Sequence, residues 1–375
     1  MTVRRTSGRI PLGPGKAIRV ILFLALLFVI TLLLGFSIGS VDISIARILR
    51  IIFEGEGGTD RTILTEIRLP RVLLAACVGA GLSTAGVVFQ ALLRNPLAEP
   101  YILGISSGGT VGALAVLWLL PAAAAFVAPV AAFAGCVAVM GVVFFLGHRR
   151  GQLDTYAILL AGVMVGAFFN AVVLVGFAML YQDMKGAFLL LMGNLSGAGS
   201  GSLALAGVCT LAVSGYFVMK AGSFNLIATG DETALHLGID VNRFRRTAYI
   251  LASLLTGVAV SLSGIIGFVG LIIPHIFRMW LGPDHRLLLP ASFLGGAIFL
   301  ILADILSRTL IAPAEIPVGL SPQRSAHRCF SICSTATDDS GKPDRTDQSD
   351  NYPSFSVPSV IPHAYTRISG CFVRV

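Results

Sequence analysis

The chain has 375 residues, of which 55% are hydrophobic and only 12% are charged, and its formal net charge is +8. An ordinary soluble domain carries about 25% charged residues. This composition therefore excludes a soluble globular protein and indicates a chain that is surrounded mostly by lipid.

Nine apolar segments are long enough to be considered membrane spans, since an α-helix needs roughly 20 apolar residues to cross the hydrocarbon core. The alternating pattern of a membrane barrel is absent, and backbone groups in lipid must pair within their own segment, so helices are predicted. The segments lie near residues 18–36, 70–92, 101–120, 122–147, 156–181, 200–220, 247–263, 267–281 and 287–310.

The first apolar segment follows a basic start that includes Arg4, Arg5 and Arg9, as a secretory signal would. Its apolar run exceeds the roughly 7 to 15 residues of a signal core and lacks a convincing cleavage site. We interpret it as an uncleaved first span. Because positive residues mark the cytoplasmic side, the amino terminus is predicted to be cytoplasmic, and predicted inner loops then hold Arg94, residues 148–150, Lys220, Arg243, Arg245, Arg246, Arg278 and Arg286.

One predicted external segment, between the first two spans, breaks this charge rule. It contains Arg47, Arg50, Arg61, Arg68 and Arg71. A positive cluster this dense on the outer side indicates a function beyond topology.

A short polar hairpin joins the second and third spans. Arg94, Asn95 and Glu99 are bracketed by Pro96 and Pro100, and proline cannot continue a helix and biases the preceding residue toward extended backbone. The polar groups are therefore predicted to gather at a fixed bend, which is a candidate functional site.

Glycine patterns within the spans favour helix packing. The stretch Gly79 to Gly86 superficially resembles a dinucleotide-binding loop, but it lies inside an apolar span with no preceding strand. The four-residue spacing of Gly104, Gly108 and Gly112, and of Gly162 and Gly166, places small residues on one helical face, where helices can approach closely.

The sequence shows no site for chemistry. It has no G-x-x-x-x-G-K-[ST] phosphate loop, so ATP chemistry would belong to a partner. Cys77, Cys136 and Cys209 lie singly within spans, and Cys329 and Cys333 lack the further ligands of a zinc site. We therefore expect no catalytic residue, no metal site, no cofactor and no nucleic-acid partner.

The longest internal polar stretch, residues 225–246, joins the sixth and seventh spans. Gly230 or Asp231 could cap a short helix, and Gly238 could end it. Its apolar side would hold Ala234, Leu235 and Leu237. From the residues alone, such a helix could lie on the membrane surface or insert into a groove on another protein.

Asp304 is an acid inside the ninth span, and intramembrane acids are often functional. It could act as a proton relay in an ion-coupled carrier. The alternative is local satisfaction, because Ser307 and Arg308 lie within one helical turn.

Six motifs in unbroken order resemble the FecCD, or BtuC-type, permeases, the membrane subunits of ABC importers for ferric siderophores, haem and cobalamin. The resemblance covers about residues 15–319. The motifs lie at residues 68–71, 94–100, 190–197, 230–238, 267–286 and 314–319.

The resemblance implies an all-α polytopic membrane protein with the BtuC-like ABC transporter permease fold. Family members have ten transmembrane helices, of which about nine are recognisable here. They form homodimers, bind two cytoplasmic ATP-binding subunits and receive substrate from an external binding protein. The location implied is a bacterial or archaeal cytoplasmic or inner membrane.

The resemblance also assigns roles to three sets of residues. The coupling helix that enters the ATPase cleft would comprise Gly230, Asp231, Glu232, Ala234, Leu237 and Gly238. The cytoplasmic gate would comprise Asn95, Leu97, Thr155 and Tyr156. The external binding protein would dock on Arg68, Arg71 and Arg308.

The carboxyl end departs from the family. The resemblance implies a permease domain at residues 1–319 followed by a tenth helix, but residues 320–337 are too polar to span. Back-translation in the neighbouring frame gives Val-Thr-Ala-Ala-Leu-Gly-Ala-Pro-Leu-Leu-Phe-Tyr-Leu-Leu, an apolar stretch. We therefore interpret residues 320–375 as an out-of-frame tail without the tenth helix. The alternative is a genuine disordered extension, which its Ser, Asp, Pro and Thr content permits.

The substrate class stays open within the family. A ferric siderophore or related iron complex comes first, with cobalamin or haem as the alternative. An ion-coupled secondary transporter is a more remote alternative, and it would need no ATPase-coupling loop.

Overall fold

The computed structural model describes residues 14–39, 43–55, 57–149, 152–179, 193–196 and 200–309. Within these ranges the α-helices in chain order are α1 (Pro14–Ser37), α2 (Ile45–Glu54), α3 (Thr59–Thr62), α4 (Leu69–Leu92), α5 (Ile105–Leu119), α6 (Ala124–Gly147), α7 (Thr155–Met179), α8 (Ser200–Met219), α9 (Ala221–Thr229), α10 (Asp231–His236), α11 (Val241–Ser263), α12 (Val269–Leu281) and α13 (His285–Thr309).

Short irregular elements complete this list. A π-helical stretch, Ile63–Arg68, joins α3 to α4, and a 3₁₀ turn, Pro121–Ala123, precedes α6. Two-residue strands β1 (His148–Arg149) and β2 (Gln152–Leu153) form an antiparallel ladder between α6 and α7.

The all-α polytopic membrane fold predicted from the sequence is confirmed. Of the helical stretches described, seven are long and apolar enough to cross a membrane: α1, the continuous stretch Thr59–Leu92, α6, α7, α8, α11 and α13. The helices α5 and α12 are apolar but shorter. Each of the nine predicted segments overlaps one of these helices along most of its length.

Helices α5 and α12 are short because the backbone before each one is not helical. With 15 and 13 residues, they extend about 22 Å and 20 Å, less than the roughly 30 Å hydrocarbon core. Gly104 before α5 and Phe268 before α12 both adopt left-handed backbone, with φ of 74° and 67°. Protein encloses the non-helical backbone before α5, since residues 98–100 and 103–104 are buried. Lipid does not tolerate exposed irregular backbone, but a protein interior does.

Helix α4 forms the centre of the core and packs against α8, α11, α12 and α13. Its glycines allow backbone-to-backbone contact. A Cβ built on Gly79 would lie 2.2 Å from the Gly296 carbonyl oxygen, and one on Gly86 would lie 1.9 Å from that of Gly270. The packing interpretation of this glycine-rich stretch is therefore confirmed.

The other glycine series also makes close helix contacts. Gly108 and Gly112 in α5 lie against the backbone of Gly135 and Ala131 in α6. A Cβ on Gly104 would meet the Gly166 Cα of α7 at 2.7 Å. These contacts hold α5, α6 and α7 together as a packed layer.

The outer helices present apolar side chains to their surroundings. Leu22 of α1, Phe126 of α6, Phe168 of α7 and Leu205 of α8 are all more than 60% exposed. Large exposed apolar surfaces are rare on soluble proteins, so these faces are suited to lipid.

Three short helices are not predicted from the sequence. Helices α2 and α3 lie in the arginine-rich segment between the first two spans. The Ser44 side chain caps α2 by accepting from the Arg47 N–H, and Gly55 ends it with φ of 69°. Helix α9 begins one residue after the break at Lys220. All three have ten residues or fewer, so they cannot be detected as apolar spans.

The predictions for the carboxyl end fall outside the described residues. These are the domain boundary at residue 319, the tail at 320–375 and the motif at 314–319. The motif at 190–197 is described only at 193–196.

Candidate functional site

Two polar clusters lie at opposite ends of α4. The Asp231 cluster comprises Arg94, Asp231 and Arg245, and the Asp304 cluster comprises Arg71, Asp304 and Arg308. Helix α4 has 24 residues, so the two ends are about 36 Å apart. This length is close to the roughly 30 Å of a hydrocarbon core, so the two clusters mark the two ends of a helix long enough to span it.

The hairpin between α4 and α5 is a compact turn. The Asn95 Oδ1 accepts a hydrogen bond of 2.9 Å from the Leu97 N–H, and the Asn95 carbonyl accepts one of 3.1 Å from the Ala98 N–H. Arg94 adopts left-handed backbone with φ of 46°, a conformation that costs a non-glycine residue roughly 1–2 kcal/mol. The predicted fixed bend is confirmed.

Glu99 anchors the hairpin to the start of α12. Its buried carboxylate accepts a hydrogen bond from the Phe268 backbone N–H. Burial raises the pKa of Glu99 to about 7, and the Phe268 hydrogen bond opposes this rise. Nearby, the Gln90 side chain donates to the Gly270 carbonyl at 3.3 Å. The hairpin is therefore fixed to α12 as well as to α4.

The predicted short helix in the polar stretch exists as α10, with Gly230 as its N-cap residue. Gly238 follows it in left-handed backbone with φ of 84°. Leu235 and Leu237 are 64% and 60% exposed, whereas Ala234 is fully buried. Ala234 packs with Ile227 and Val241, so it seats α10 on the chain itself, and its part in ATPase coupling stays a prediction.

The Asp231 cluster joins the hairpin to α10. The Asp231 Oδ1 accepts from Arg94 Nη2 at 2.5 Å and from Arg245 Nη2 at 3.0 Å. Arg94 also donates to the Ile227 carbonyl at 3.3 Å. From the sequence, Arg245 is predicted only to mark the cytoplasmic side. Its separation of 14 residues from Asp231 does not indicate a contact.

The four predicted gate residues lie at two turns of the described chain. Leu97 and Tyr156 are 54% and 84% exposed. Thr155 begins α7 two residues after the end of β2, and Asn95 is engaged within its own turn. Their role as a gate stays a prediction.

A third set of polar contacts fixes the start of α13. The Asn225 Nδ2 donates to Asp284 Oδ1 at 2.6 Å, and the Asn225 Oδ1 accepts from the His285 N–H at 2.9 Å. Asp284 also accepts from the Arg286 N–H at 2.9 Å. These contacts tie α9 to α13 and give a structural role to the motif at residues 282–286.

The Asp304 cluster is enclosed by protein. Asp304 Oδ1 accepts from Arg71 Nε at 2.8 Å, and Asp304 Oδ2 lies 3.0 Å from Arg308 Nη2. These three side chains are at most 6% exposed. The local-satisfaction interpretation of Asp304 is therefore confirmed.

Arg308 of this cluster, together with Arg68, also holds the end of α1. Arg68 Nη1 donates to the Phe36 and Ser37 carbonyls at 2.6 Å and 2.9 Å, and Arg308 Nη2 donates to the Gly35 carbonyl at 3.3 Å. Cations at a helix carboxyl end stabilise its unpaired carbonyls and its dipole.

Arg68, Arg71 and Arg308, the predicted docking residues, are all buried in the described chain. Their charge is used inside the chain, between α1, α4 and α13. On the same external segment, Arg50 and Arg61 are exposed. Docking of a binding protein at this end stays a prediction.

Among the residues that the structure describes, no three His, Cys, Asp or Glu side chains are grouped so that they could hold a metal ion. Cys77, Cys136 and Cys209 are free thiols. The polar geometry described above connects helices and loops, and none of it resembles a catalytic group.

Comparison with known proteins agrees with this geometry. The model of the FecCD transport family matches residues 26–321. The chain belongs to the FecCD transport family. The match includes both polar clusters, the hairpin and α10, so the structural features described above lie within the family's common region.

Several curated relatives cover most of this FecCD chain. The hemin transport system permease of Yersinia pestis is 42% identical over 68% of this chain and 78% of its own length. The cobalamin import system permease of Halobacterium salinarum is 40% identical, covering 70% of each chain. An Fe(3+)-citrate import system permease of Bacillus subtilis is 34% identical over 80% of this chain and 90% of its own.

A solved structure also resembles this FecCD chain. It is described as a metal-chelate type ABC transporter in an inward-facing conformation, with a TM-score of 0.73 and 27% identity. The alignment covers 85% of this chain and 99% of that chain. The BtuC-like permease fold is thereby shown for this member of the FecCD family.

Proposed function

We propose that the chain is the transmembrane permease subunit of an ABC importer that moves a ferric siderophore or related iron complex into the cell. The observation that carries this proposal is the short, exposed helix α10, which is tied directly to the hairpin at the end of α4. Such an arrangement can transmit a movement of a bound partner to the membrane path. The relative named for Fe(3+)-citrate supports an iron complex, and the relatives named for hemin and cobalamin support the alternative.

In this proposal two ATP-binding subunits supply the free energy. Glu232, Leu235 and Leu237 lie on the exposed side of α10, and a short amphipathic helix with exposed apolar side chains suits a groove on a partner. Gly230 and Gly238 provide the backbone turns on either side. ATP binding could shift the path only by favouring one of its states over the other.

The gate is proposed to form between two copies of the chain. Leu97 and Tyr156 are exposed in one chain, and a homodimer would bring a second pair toward them across a central path. Asn95 and Thr155 would shape the backbone on either side. This proposal explains why exposed apolar and aromatic side chains lie at turns that face away from the core.

Docking of an external binding protein is proposed at the end of the molecule that holds the Asp304 cluster. The exposed Arg50 and Arg61 would attract acidic groups, and exposed charges of this kind raise association rates more than affinity. The buried arginines would support the surface from beneath.

An ion-coupled carrier is the second candidate, and the Asp304 cluster weighs against it. The Asp304 carboxylate is enclosed by protein and paired with Arg71 and Arg308, whereas the acids of ion-coupled carriers face a water-filled cavity or pathway.

The chain is proposed to lie in a bacterial or archaeal cytoplasmic membrane with its amino terminus inside. The Asp231 cluster would then be cytoplasmic and the Asp304 cluster external. Protease access to an amino-terminal tag in right-side-out and inverted vesicles tests this orientation.

The direct test is ATP-dependent uptake in proteoliposomes that contain the chain with its own ATPase and binding protein. A labelled ferric hydroxamate, hemin and cobalamin would be compared in this chain and in a version with the reading frame restored after residue 319. Uptake of the ferric hydroxamate supports the proposal, and uptake of only hemin or cobalamin supports the alternative. Correct assembly without ATP-dependent uptake of any of them would overturn both.

The comparison of the two versions also tests the proposed out-of-frame tail. The family match ends at residue 321, close to the predicted boundary. Uptake by the restored version alone supports the loss of a tenth helix, and equal uptake by both versions contradicts it.

A further inference from the structure

Asp231 stands in an unusual position, because one carboxylate oxygen serves two separate parts of the fold. Arg94 belongs to the hairpin after α4, and Arg245 belongs to the first turns of α11. The sequence separations are 137 and 14 residues. The first residue of α10 is therefore held from both sides by cations.

The pairing contributes little to stability. Arg94 and Asp231 are each about half exposed, and exposed ion pairs stabilise a fold only weakly. The left-handed backbone of Arg94 opposes this small gain. The contact therefore matters mainly for the position that it imposes on the hairpin and on α10.

Arg94 connects the hairpin to both α9 and α10. Arg94 bonds the Ile227 carbonyl of α9 as well as Asp231 of α10, so it spans the junction between these helices. The hairpin that carries Arg94 is fixed at its other end by Glu99 to Phe268. A displacement of α10 would therefore act on the hairpin through Arg94.

We propose that Asp231 and Arg94 are positioning residues that make the movement of α10 and of the α4–α5 hairpin a single event, so that partner binding at α10 opens or closes the path at Leu97. The inference rests on the proposed function, since it assigns the physical link between the ATPase-binding helix and the gate. Arg245 would keep Asp231 oriented when Arg94 moves.

The first test concerns the link itself and needs no partner. Hydrogen exchange of the full chain in detergent is measured for the peptide that covers residues 93–104. Asp231→Asn and Arg94→Gln should each speed exchange there by at least about fivefold, and the double variant should add nothing further. The matched control Glu232→Gln removes the neighbouring carboxylate and should leave this peptide unchanged. Unchanged exchange in Asp231→Asn, or additive effects, would overturn the inference.

The second test concerns coupling in the assembled transporter. Uptake of a labelled ferric hydroxamate and ATP hydrolysis are measured together in proteoliposomes. Arg94→Gln should lower uptake per ATP hydrolysed by at least about fivefold, the scale of a typical coupling free energy, and Arg94→Lys should restore part of it. A merely structural role would lower both rates together through loss of folded protein, and that result would overturn the inference.

The two tests separate this inference from the proposed function. If the wild-type chain hydrolyses ATP with its partners but transports none of the offered substrates, the proposed substrate fails while the exchange result still decides the link. If the wild-type chain transports and Arg94→Gln keeps a normal ratio, only the inference fails.

Discussion

Arg71 and Asp304 form an ion pair of 2.8 Å between α4 and α13, and their side chains are only 6% and 0% exposed. The residues are 233 positions apart in the chain. Arg308 lies on the other oxygen of Asp304 and also donates to the Gly35 carbonyl of α1, so the cluster joins three helices at one end of the molecule.

Removal of the Asp304 charge should destabilise the protein strongly. Asp304→Asn leaves two buried guanidinium groups without their anion, and loss of one partner of a buried ion pair costs about 3–5 kcal/mol. The midpoint of thermal unfolding in detergent should fall accordingly. The matched control is Asp60→Asn, which breaks the partly exposed 3.3 Å pair with Arg47 and should cost less than about 1 kcal/mol. Equal effects of the two substitutions would contradict an enclosed cluster.

Neutralisation of Glu99 should change how stability depends on pH. The pKa of Glu99 is about 7 in the folded chain, against a reference value of 4.5. Between these values the folded state holds more protons than the unfolded state, so the contribution of Glu99 to stability is present at low pH and is lost as the pH rises through about 7. Glu99→Gln keeps the side-chain shape and cannot ionise.

Glu99→Gln should therefore match the wild-type stability near pH 4.5 and exceed it by roughly 3 kcal/mol near pH 8, since one pKa unit corresponds to about 1.4 kcal/mol. The measurement is the unfolding midpoint across this range. Glu54→Gln, at an exposed position, serves as the control and should follow the wild-type profile. A constant difference between Glu99→Gln and the wild type at all pH values would disprove the burial effect.

A methyl group on Gly86 should force α4 and α12 apart. The new Cβ would lie 1.9 Å from the Gly270 carbonyl oxygen, and an overpacked core costs about 1–3 kcal/mol. Gly215→Ala in α8 is the matched control, because no atom lies within 4 Å of its Cβ position. Similar unfolding midpoints for the two variants would show that the α4–α12 contact is not this close.

The spans could be predicted from the sequence because lipid imposes one requirement on every segment, a long apolar helix with internal hydrogen bonds. Helix α10 could be predicted because Gly230 and Gly238 mark its ends locally. By contrast, a count of arginines could not show whether Arg71 faces water or an acid on a distant helix. The ion pair of Arg71 could not be predicted for a physical reason: its partner Asp304 lies 233 residues away.

The hairpin shows the same limit on a smaller scale. Its prolines predicted the bend, but Glu99 meets Phe268 and Arg94 meets Asp231 only after the chain has folded. The residues next to Glu99 and Arg94 in the sequence do not identify these distant partners. Helix α2 was overlooked for another reason, because its cap residues Ser44 and Gly55 enclose a segment too short and too charged to count as a span.

The two sides of α10 should respond differently to substitution. Leu237 is exposed, whereas Ala234 is fully buried against Ile227 and Val241. Leu237→Ser should leave the free energy of unfolding within about 1 kcal/mol of wild type, because exposed positions tolerate change. It should nevertheless reduce co-purification of the ATPase subunit, since an apolar contact with the partner would be lost.

Ala234→Leu should behave in the opposite way. The larger side chain has no space beneath α10, so the helix must lift and stability should fall by about 1–3 kcal/mol. ATPase binding should then fall only as far as folded protein is lost, which size-exclusion profiles of the detergent-solubilised chain can quantify. If Leu237→Ser instead lost stability and Ala234→Leu kept it, the assignment of the two sides of α10 would be reversed, and the exposed side would no longer be the one that meets the partner.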